Sequence, residues 1–513
     1  MRRLTKISAS LLLSAALLSV GASQVNKVNA STNHVLPKAV TKVASSKNYR
    51  IYSYVDKSGP HKAIGKTSDF RYAHLESKEY ARTNRGTYWN LIVNGRSLGW
   101  VNQNYFTRSK ISLAKSVNLV NNDNGTFNTK DAINYATDST GTAVNPEKVH
   151  ASITHLKADE PGKHEVEYKY GKAHDSLEIN VRKTRDEGVT DANADAEDAP
   201  GAKTTWHGSS KSSSPHWNSE HHYTTEEQKN HYTSDSNLPM TLTTQFYQPR
   251  FLSLDYDQND EISQVGVIPE GMAMKNGQLT VSLFSDAKDD NGHLVSYDLN
   301  KLTSPYDAQN LVSMPYKEFI KYSKNIKVSP YLKLGHGQSV SDSGKYIYVL
   351  ANTNKLKNSA ESSEIMQINK KDLTINKIWT FKVYNGSADY PRYFHNASFV
   401  NSHLMYGLFH NASKGTYEYW KLEREGNSWI PTEVGATNSE LVKNAPVQGF
   451  AYDKQNDQFY VGFNDYIFTI DPMGSVLDTQ HFDTKRELEG LSVDNGTLYT
   501  ELTQRAELLK ADK

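Results

Sequence analysis

The chain of 513 residues contains no cysteine. Disulfides and a lipid-modified N-terminal cysteine are therefore excluded. GxSxG, HExxH and P-loop patterns are also missing, and with them the signatures of α/β-hydrolases, zincins and P-loop nucleotide hydrolases. No LPxTG-type tail and no second long apolar run follow the N-terminal one, so attachment to a cell is expected to be non-covalent. Charge is nearly balanced, with 58 Lys/Arg against 57 Asp/Glu, and no nucleic-acid motif accompanies the basic residues. What is abundant is tyrosine, 31 against 16 phenylalanines, in a chain that is 37% apolar. That balance favours strands and a polar, β-rich protein. The length suggests three or four domains.

Arg2, Arg3 and Lys6 precede the apolar SASLLLSAALLSVGAS, and Val28-Asn29-Ala30 offers a small-residue cleavage site. Residues 1–30 are expected to be a secretory signal peptide, leaving no membrane span in the mature chain. Secretion without disulfides fits a Gram-positive bacterium better than a eukaryote. Balanced charge hides an asymmetry: residues 31–110 hold 14 Lys/Arg and 4 Asp/Glu, whereas the rest of the mature chain is acidic. A basic module on an acidic body points to an anionic target, and secretion argues against nucleic acid.

Residues 45–110 read as a small β module around RTNRGTYWNLIVNGRSLGWVNQNYF, with Asn94-Gly95 as a hairpin turn. Through YWNLIVNGRSLGWVN it resembles the GW module, an SH3-like barrel of Gram-positive surface proteins. The resemblance implies non-covalent attachment to anionic wall polymers, teichoic or lipoteichoic acid, with Tyr88, Trp89, Arg96 and Trp100 as wall-binding residues. Residues 112–183 form a second β module that ends in a hairpin. In it Val166, Tyr168 and Tyr170 alternate, Gly171 turns the chain, and Leu177, Ile179 and Val181 alternate again. HEVEYKYGKAHDSLEINVRK looks like the closing hairpin of a bacterial Ig-like domain, which implies a spacer. Residues 184–238 are acidic and then Ser-, Thr- and His-rich, the composition of a disordered linker. His207, His216, His221, His222 and His231 lack a metal-site spacing, and Trp206 and Trp217 are candidates to dock on a neighbouring domain.

Residues 239–513 repeat. The copies are PEGMAMKNGQLTVSLF, GHGQSVSDSGKYIYVL, FHNASFVNSHLMYGLF, VQGFAYDKQNDQFYVGF and LEGLSVDNGTLYTEL, starting 66, 59, 53 and 41 residues apart. Each pairs two strand-like runs across a turn, and further strand-like runs follow. This spacing predicts a five-bladed β-propeller, with MTLTTQFYQPRFLSLDY supplying the strand that closes the ring. The fold class is therefore all-β: an SH3-like barrel, an Ig-like sandwich and a propeller.

In such a ring the first strand of each blade lines the axis. Glu270, His336, His395, Gln448 and Glu489 are the predicted axial, ligand-binding ring, each followed by Gly or Asn. Three readings stand for it. It is a self-satisfied polar plug, a divalent-metal or small-ligand site using Glu270, His336, His395 and Glu489, or an acid/base pair. DYDQNDE (Asp255–Glu261) lacks the glycine and the final glutamate of a calcium loop. The spacing of GHGQSVSDSGKYIYVLANT, APVQGFAYDKQNDQFYVGF and ELEGLSVDNGTLYTEL resembles the propeller of the helveticin J-type bacteriocins of lactobacilli. That resemblance implies an antimicrobial effector, and the family supplies no catalytic residues to carry over. Three functional expectations follow: a secreted, wall-associated protein whose propeller recognises a glycan or bacterial surface target, a bacteriocin acting on related bacteria, and a metal-assisted glycan hydrolase or lyase.

Overall fold

The structure, a computed structural model, describes residues 33–120, 125–182, 229–249, 268–284, 290–302, 314–351, 363–381, 383–384, 391–394, 396–413, 415–437, 440–503 and 505–512. The signal-peptide stretch, most of the linker with four of its five histidines and both tryptophans, Asp255–Glu261 and His395 lie outside them. The described residues are overwhelmingly strands, with one α-helix, Tyr316–Ser323, among them.

The N-terminal sheet has the strand order Asn33–Thr41, Leu75–Thr83, Gly86–Val93, Arg96–Asn102, Arg50–Asp56, Gly59–Lys66. It begins at Asn33, ahead of residue 45. The predicted turn is present: Asn94 and Gly95 have φ of 47° and 79°, and Val93 pairs with Arg96. Two positive-φ residues match the right-handed twist of the flanking strands, which is why Asn-Gly succeeds there. Along Gly86–Val93, Trp89, Leu91 and Val93 enter the main core. Tyr88 turns the other way, into a small cluster with Val55, Ala81 and Trp100.

The second module contains the predicted hairpin, Gly162–Tyr170 against Ala173–Arg182. Val166, Tyr168, Leu177, Ile179 and Val181 are buried on one face. Its Ser116–Val120 strand runs parallel to Ala173–Arg182 on one side and parallel to Ile375–Phe381 on the other. The module is thereby stitched edge to edge onto the C-terminal region in one eight-stranded sheet. Asn134, 3% exposed, seals the joint: its Nδ2 donates to the Ile375 carbonyl at 3.1 Å and its Oδ1 accepts from the Ile375 N–H.

Among the described residues of the C-terminal region, five antiparallel meanders succeed one another. Their first strands are Ile268–Lys275, Val340–Asp342, Asn396–Asn401, Gly449–Asp453 and Leu488–Asp494. Each first strand touches the next, and the fifth returns to the first, giving a propeller-like ring. The fifth sheet is completed by Thr241–Tyr247, which pairs with Glu507–Asp512, so the beginning and end of the C-terminal region share one sheet. His231, counted with the linker by composition, sits in the strand His231–Thr233 on the outside of that sheet.

Serines stitch the first strands together. Ser339 Oγ accepts from the Ala397 N–H at 2.8 Å, Ser341 Oγ from Phe399 at 3.0 Å and Ser398 Oγ from Tyr452 at 3.1 Å. Ser492 Oγ accepts from Met274 at 2.9 Å, which closes the ring from fifth sheet to first. These bonds occupy backbone donors that the inner edge of each sheet would otherwise leave unpaired. One apolar cluster runs from the barrel (Leu91) through the second module (Val117, Ile179) into the first two sheets of the ring (Val281, Ile347).

Candidate functional site

At the axis the structure brings three of the predicted residues together, Glu270, Gln448 and Glu489. Glu270 and Glu489 are 8% and 4% exposed. Each lies in a register shift, between Pro269 and Met272 and between Leu488 and Leu491. An extra residue in a strand bends it and re-aims the side chain, and here both bulges serve a buried carboxyl. The following glycines allow the crowding. A Cβ on Gly271 would overlap the Gly337 carbonyl, and Gly490, at φ +82°, would place one within 3.0 Å of Met272.

His336 is displaced from the ring as the sequence drew it. Gly335 and Gly337 both have positive φ (63° and 85°), and the turn they make holds His336 at the rim, its Nε2 4.0 Å from Glu270. Gln338, two residues on, takes the inner place. Its Nε2 donates to Gln448 Oε1 at 2.9 Å and lies 3.5 Å from Glu489 Oε2. Asn396 Nδ2 donates to Gln338 Oε1 at 3.3 Å. Gln448 Nε2 in turn donates to Glu487 at 3.0 Å and Glu489 at 3.1 Å. Sequence alignment on the polar-Gly pair missed Gln338, Asn396 and Glu487. Alignment on the Ser-x-Ser of QSVSD would have found the first.

Three carboxyls share this site. Burial raises Glu489 well above the usual carboxylate range, and the neighbouring Glu270 and Glu487 charges push it further. Burial, then Glu487, does the same to Glu270. Burial holds Glu487 up at about 7, against the opposing bonds from Asn464 and Gln448. Protonated carboxyls beside amides form a neutral hydrogen-bonding network. Among the described residues no group of three or more His, Asp or Glu side chains is placed to hold a metal. At the other end of the first strands a hollow of about 340 Å³ opens, lined in part by Lys275, Ser341, Tyr452 and Ser492.

In the barrel, the aromatic residues singled out from the sequence are buried. Tyr88, Trp89 and Trp100 are 6, 5 and 6% exposed. The Trp89 ring carries the Lys42 ammonium at 3.3 Å, and that ammonium also donates to the Thr140 carbonyl and Thr142 Oγ1 of the second module. Arg96 is a docking residue: it donates to the Met314 carbonyl and lies over Phe319 at 4.9 Å. Alternation alone could not tell these positions from a binding face, because this strand is covered on both sides. The cations that remain in solvent include Lys57, Lys62, Arg82 and Arg85. The Asn84 N–H donates to the Lys57 carbonyl at 2.9 Å, and the Arg85 side chain packs against Gly59. Lys57, Arg82 and Arg85 thus share one end of the barrel, flanked by half-buried Tyr54 and Tyr80.

The fold and its charge define an all-β protein with a basic SH3-like barrel joined to a propeller-like ring. Residues 31–107 match the family described as the GW (Gly-Tryp) dipeptide domain. A GW domain implies binding to cell-wall polymers and a place at the cell surface. Comparison with curated proteins finds none that matches. Among solved structures, the chain is similar to the glutaminyl cyclase of Myxococcus xanthus (12% identity, 48% of this chain and 89% of that one, TM-score 0.27). It is similar also to the Cps50 (Swd1) β-propeller domain of Myceliophteria thermophila (9%, 45% and 65%, TM-score 0.23) and BamB of Moraxella catarrhalis (11%, 55% and 91%, TM-score 0.25). Likeness at that level says nothing about activity. The comparisons lend no support to the helveticin-type or immunoglobulin-type resemblance. No helix among the described residues is long and apolar enough to cross a membrane.

Proposed function

We propose that this is a secreted surface protein held non-covalently on the Gram-positive wall, with a five-bladed propeller that presents a recognition surface. The observation that carries the reading is the GW domain with its excess of basic residues, 14 Lys/Arg against 4 Asp/Glu over residues 31–110. Anionic polymers of the polyol-phosphate kind meet the exposed cations Lys57, Lys62, Arg82 and Arg85, while Tyr88, Trp89 and Trp100 hold the barrel in shape. The second module, read as Ig-like, acts as a fixed bracket rather than a swinging stalk, because Ser116–Val120 is paired to the ring. Propeller ligands are met at the open axial hollow beside Lys275 and Tyr452. The buried carboxyls form the plug beneath it, and their burial weighs against a hydrolase acting on a large glycan.

The test is co-sedimentation of the full-length protein with purified walls, intact or stripped of phosphate-bearing polymer. Binding to intact walls and loss on stripped walls is expected. Equal binding to both would contradict the proposal.

A further inference from the structure

Between the second and third sheets of the ring lies a hollow of about 410 Å³, far in sequence from the barrel cations. The two first-hairpin turns form its rim, through Ser343 and Lys345 on one side and Asn401, Ser402 and His403 on the other. Its wall is Lys377 from Ile375–Phe381 and Arg424 from Thr416–Glu425. Both cations are held over one buried indole: the Lys377 ammonium is 4.8 Å and the Arg424 guanidinium 5.2 Å from the Trp379 ring centre. Cation–π attraction explains how two like charges are kept on the same support.

The pocket is built. Arg424 Nε donates to the Ser402 carbonyl at 2.8 Å, one of its terminal nitrogens donates to Gly426 at 2.6 Å, and the other lies 2.9 Å from His403 Nε2. Ser402 Oγ lies 2.8 Å from His403 Nδ1, so guanidinium, imidazole and hydroxyl are locked in one cluster. Among the described residues no carboxylate lines the hollow. Asp342, next to Ser343, pairs with Lys370 at 2.5 Å, and Glu423, next to Arg424, pairs with Lys421 at 2.9 Å. Burial lowers the Lys377 pKa, and the Arg424 and Arg182 charges lower it further.

We propose that this hollow is an anion site that takes a phosphoryl group carried on a polyol or sugar. Ammonium, guanidinium, imidazole, amide and hydroxyl groups approach from two turns and two strands. That suits a tetrahedral anion with several oxygens better than a planar carboxylate, which one guanidinium would serve. The site shares no residue with the barrel, so it stands or falls separately from wall attachment.

The experiment is calorimetric titration of the full-length protein with glycerol 1-phosphate, inorganic phosphate and glucuronate. Saturable binding of the phosphate ester is expected. It should weaken about tenfold in Lys345→Gln and in Arg424→Gln, the loss of one charge-assisted hydrogen bond. Lys345 lies in an exposed turn, so that variant keeps the fold. Repeating the titration in the triple barrel variant Lys57→Glu, Arg82→Glu, Arg85→Glu removes any phosphate-ester binding by the barrel cations, and the component that depends on Lys345 and Arg424 should persist. No saturable binding, binding indifferent to Lys345 and Arg424, or tighter binding of glucuronate would overturn the assignment.

Discussion

At the scale of residues, the axis is governed by protonation. The Glu487 carboxyl is half-buried and held at about 7, above its ordinary value. A group whose folded pKa is raised contributes its stability below the unfolded pKa, and that contribution is lost as pH rises through the folded pKa. The native chain should therefore lose stability between about pH 4.5 and 7 by up to ~3 kcal/mol from this group. Glu487→Gln keeps the acceptor for Gln448 and removes the titration, so its melting temperature should fall less over that interval. Identical pH profiles for the two proteins would show that Glu487 does not titrate there. His336 shows what single residues conceal in sequence. A histidine between glycines reads as chemistry, yet its two positive-φ neighbours turn it to the rim and hand the inner place to Gln338.

At the scale of elements, the ring depends on bonds between sheets. Ser492→Ala would leave the Met274 N–H without its acceptor at the junction that closes the ring. A cost of about 1–2 kcal/mol in urea unfolding is expected, whereas the same change at exposed Ser58 should cost under ~0.5 kcal/mol. Asn134→Ala would remove both side-chain bonds to the Ile375 backbone at the joint with the second module. Faster proteolytic separation of that module is expected, and a cleavage rate equal to wild type would mean the paired strands hold without Asn134. Hairpins were legible because Asn94-Gly95 and the alternation of Leu177, Ile179 and Val181 are local signals. The parallel pairing of Ser116–Val120 with Ile375–Phe381 was not, since nothing in either segment names a partner some 260 residues away.

At the scale of the whole molecule, the propeller-like character of the C-terminal region was legible because one strand-turn-strand pattern recurs along it. The closing strand was also legible, as a strand left over where the last unit falls short. Which barrel residues meet the wall was not legible, because aromatics that fill a core and aromatics that bind a ligand look alike in a strand covered on both faces. Tyr88, Trp89 and Trp100 are buried, and the exposed charge of Lys57, Arg82 and Arg85 carries the argument instead. Attachment through exposed cations must weaken with salt, because the Debye length shrinks from about 10 Å at 0.1 M to about 3 Å at 1 M. The most direct measurement is the fraction of full-length protein bound to intact walls across that salt range, for the native chain and for Lys57→Glu, Arg82→Glu, Arg85→Glu. The account predicts strong binding at low salt, a steep fall toward 1 M, and little binding by the variant at any salt. Binding that ignores both salt and the three reversals would contradict it.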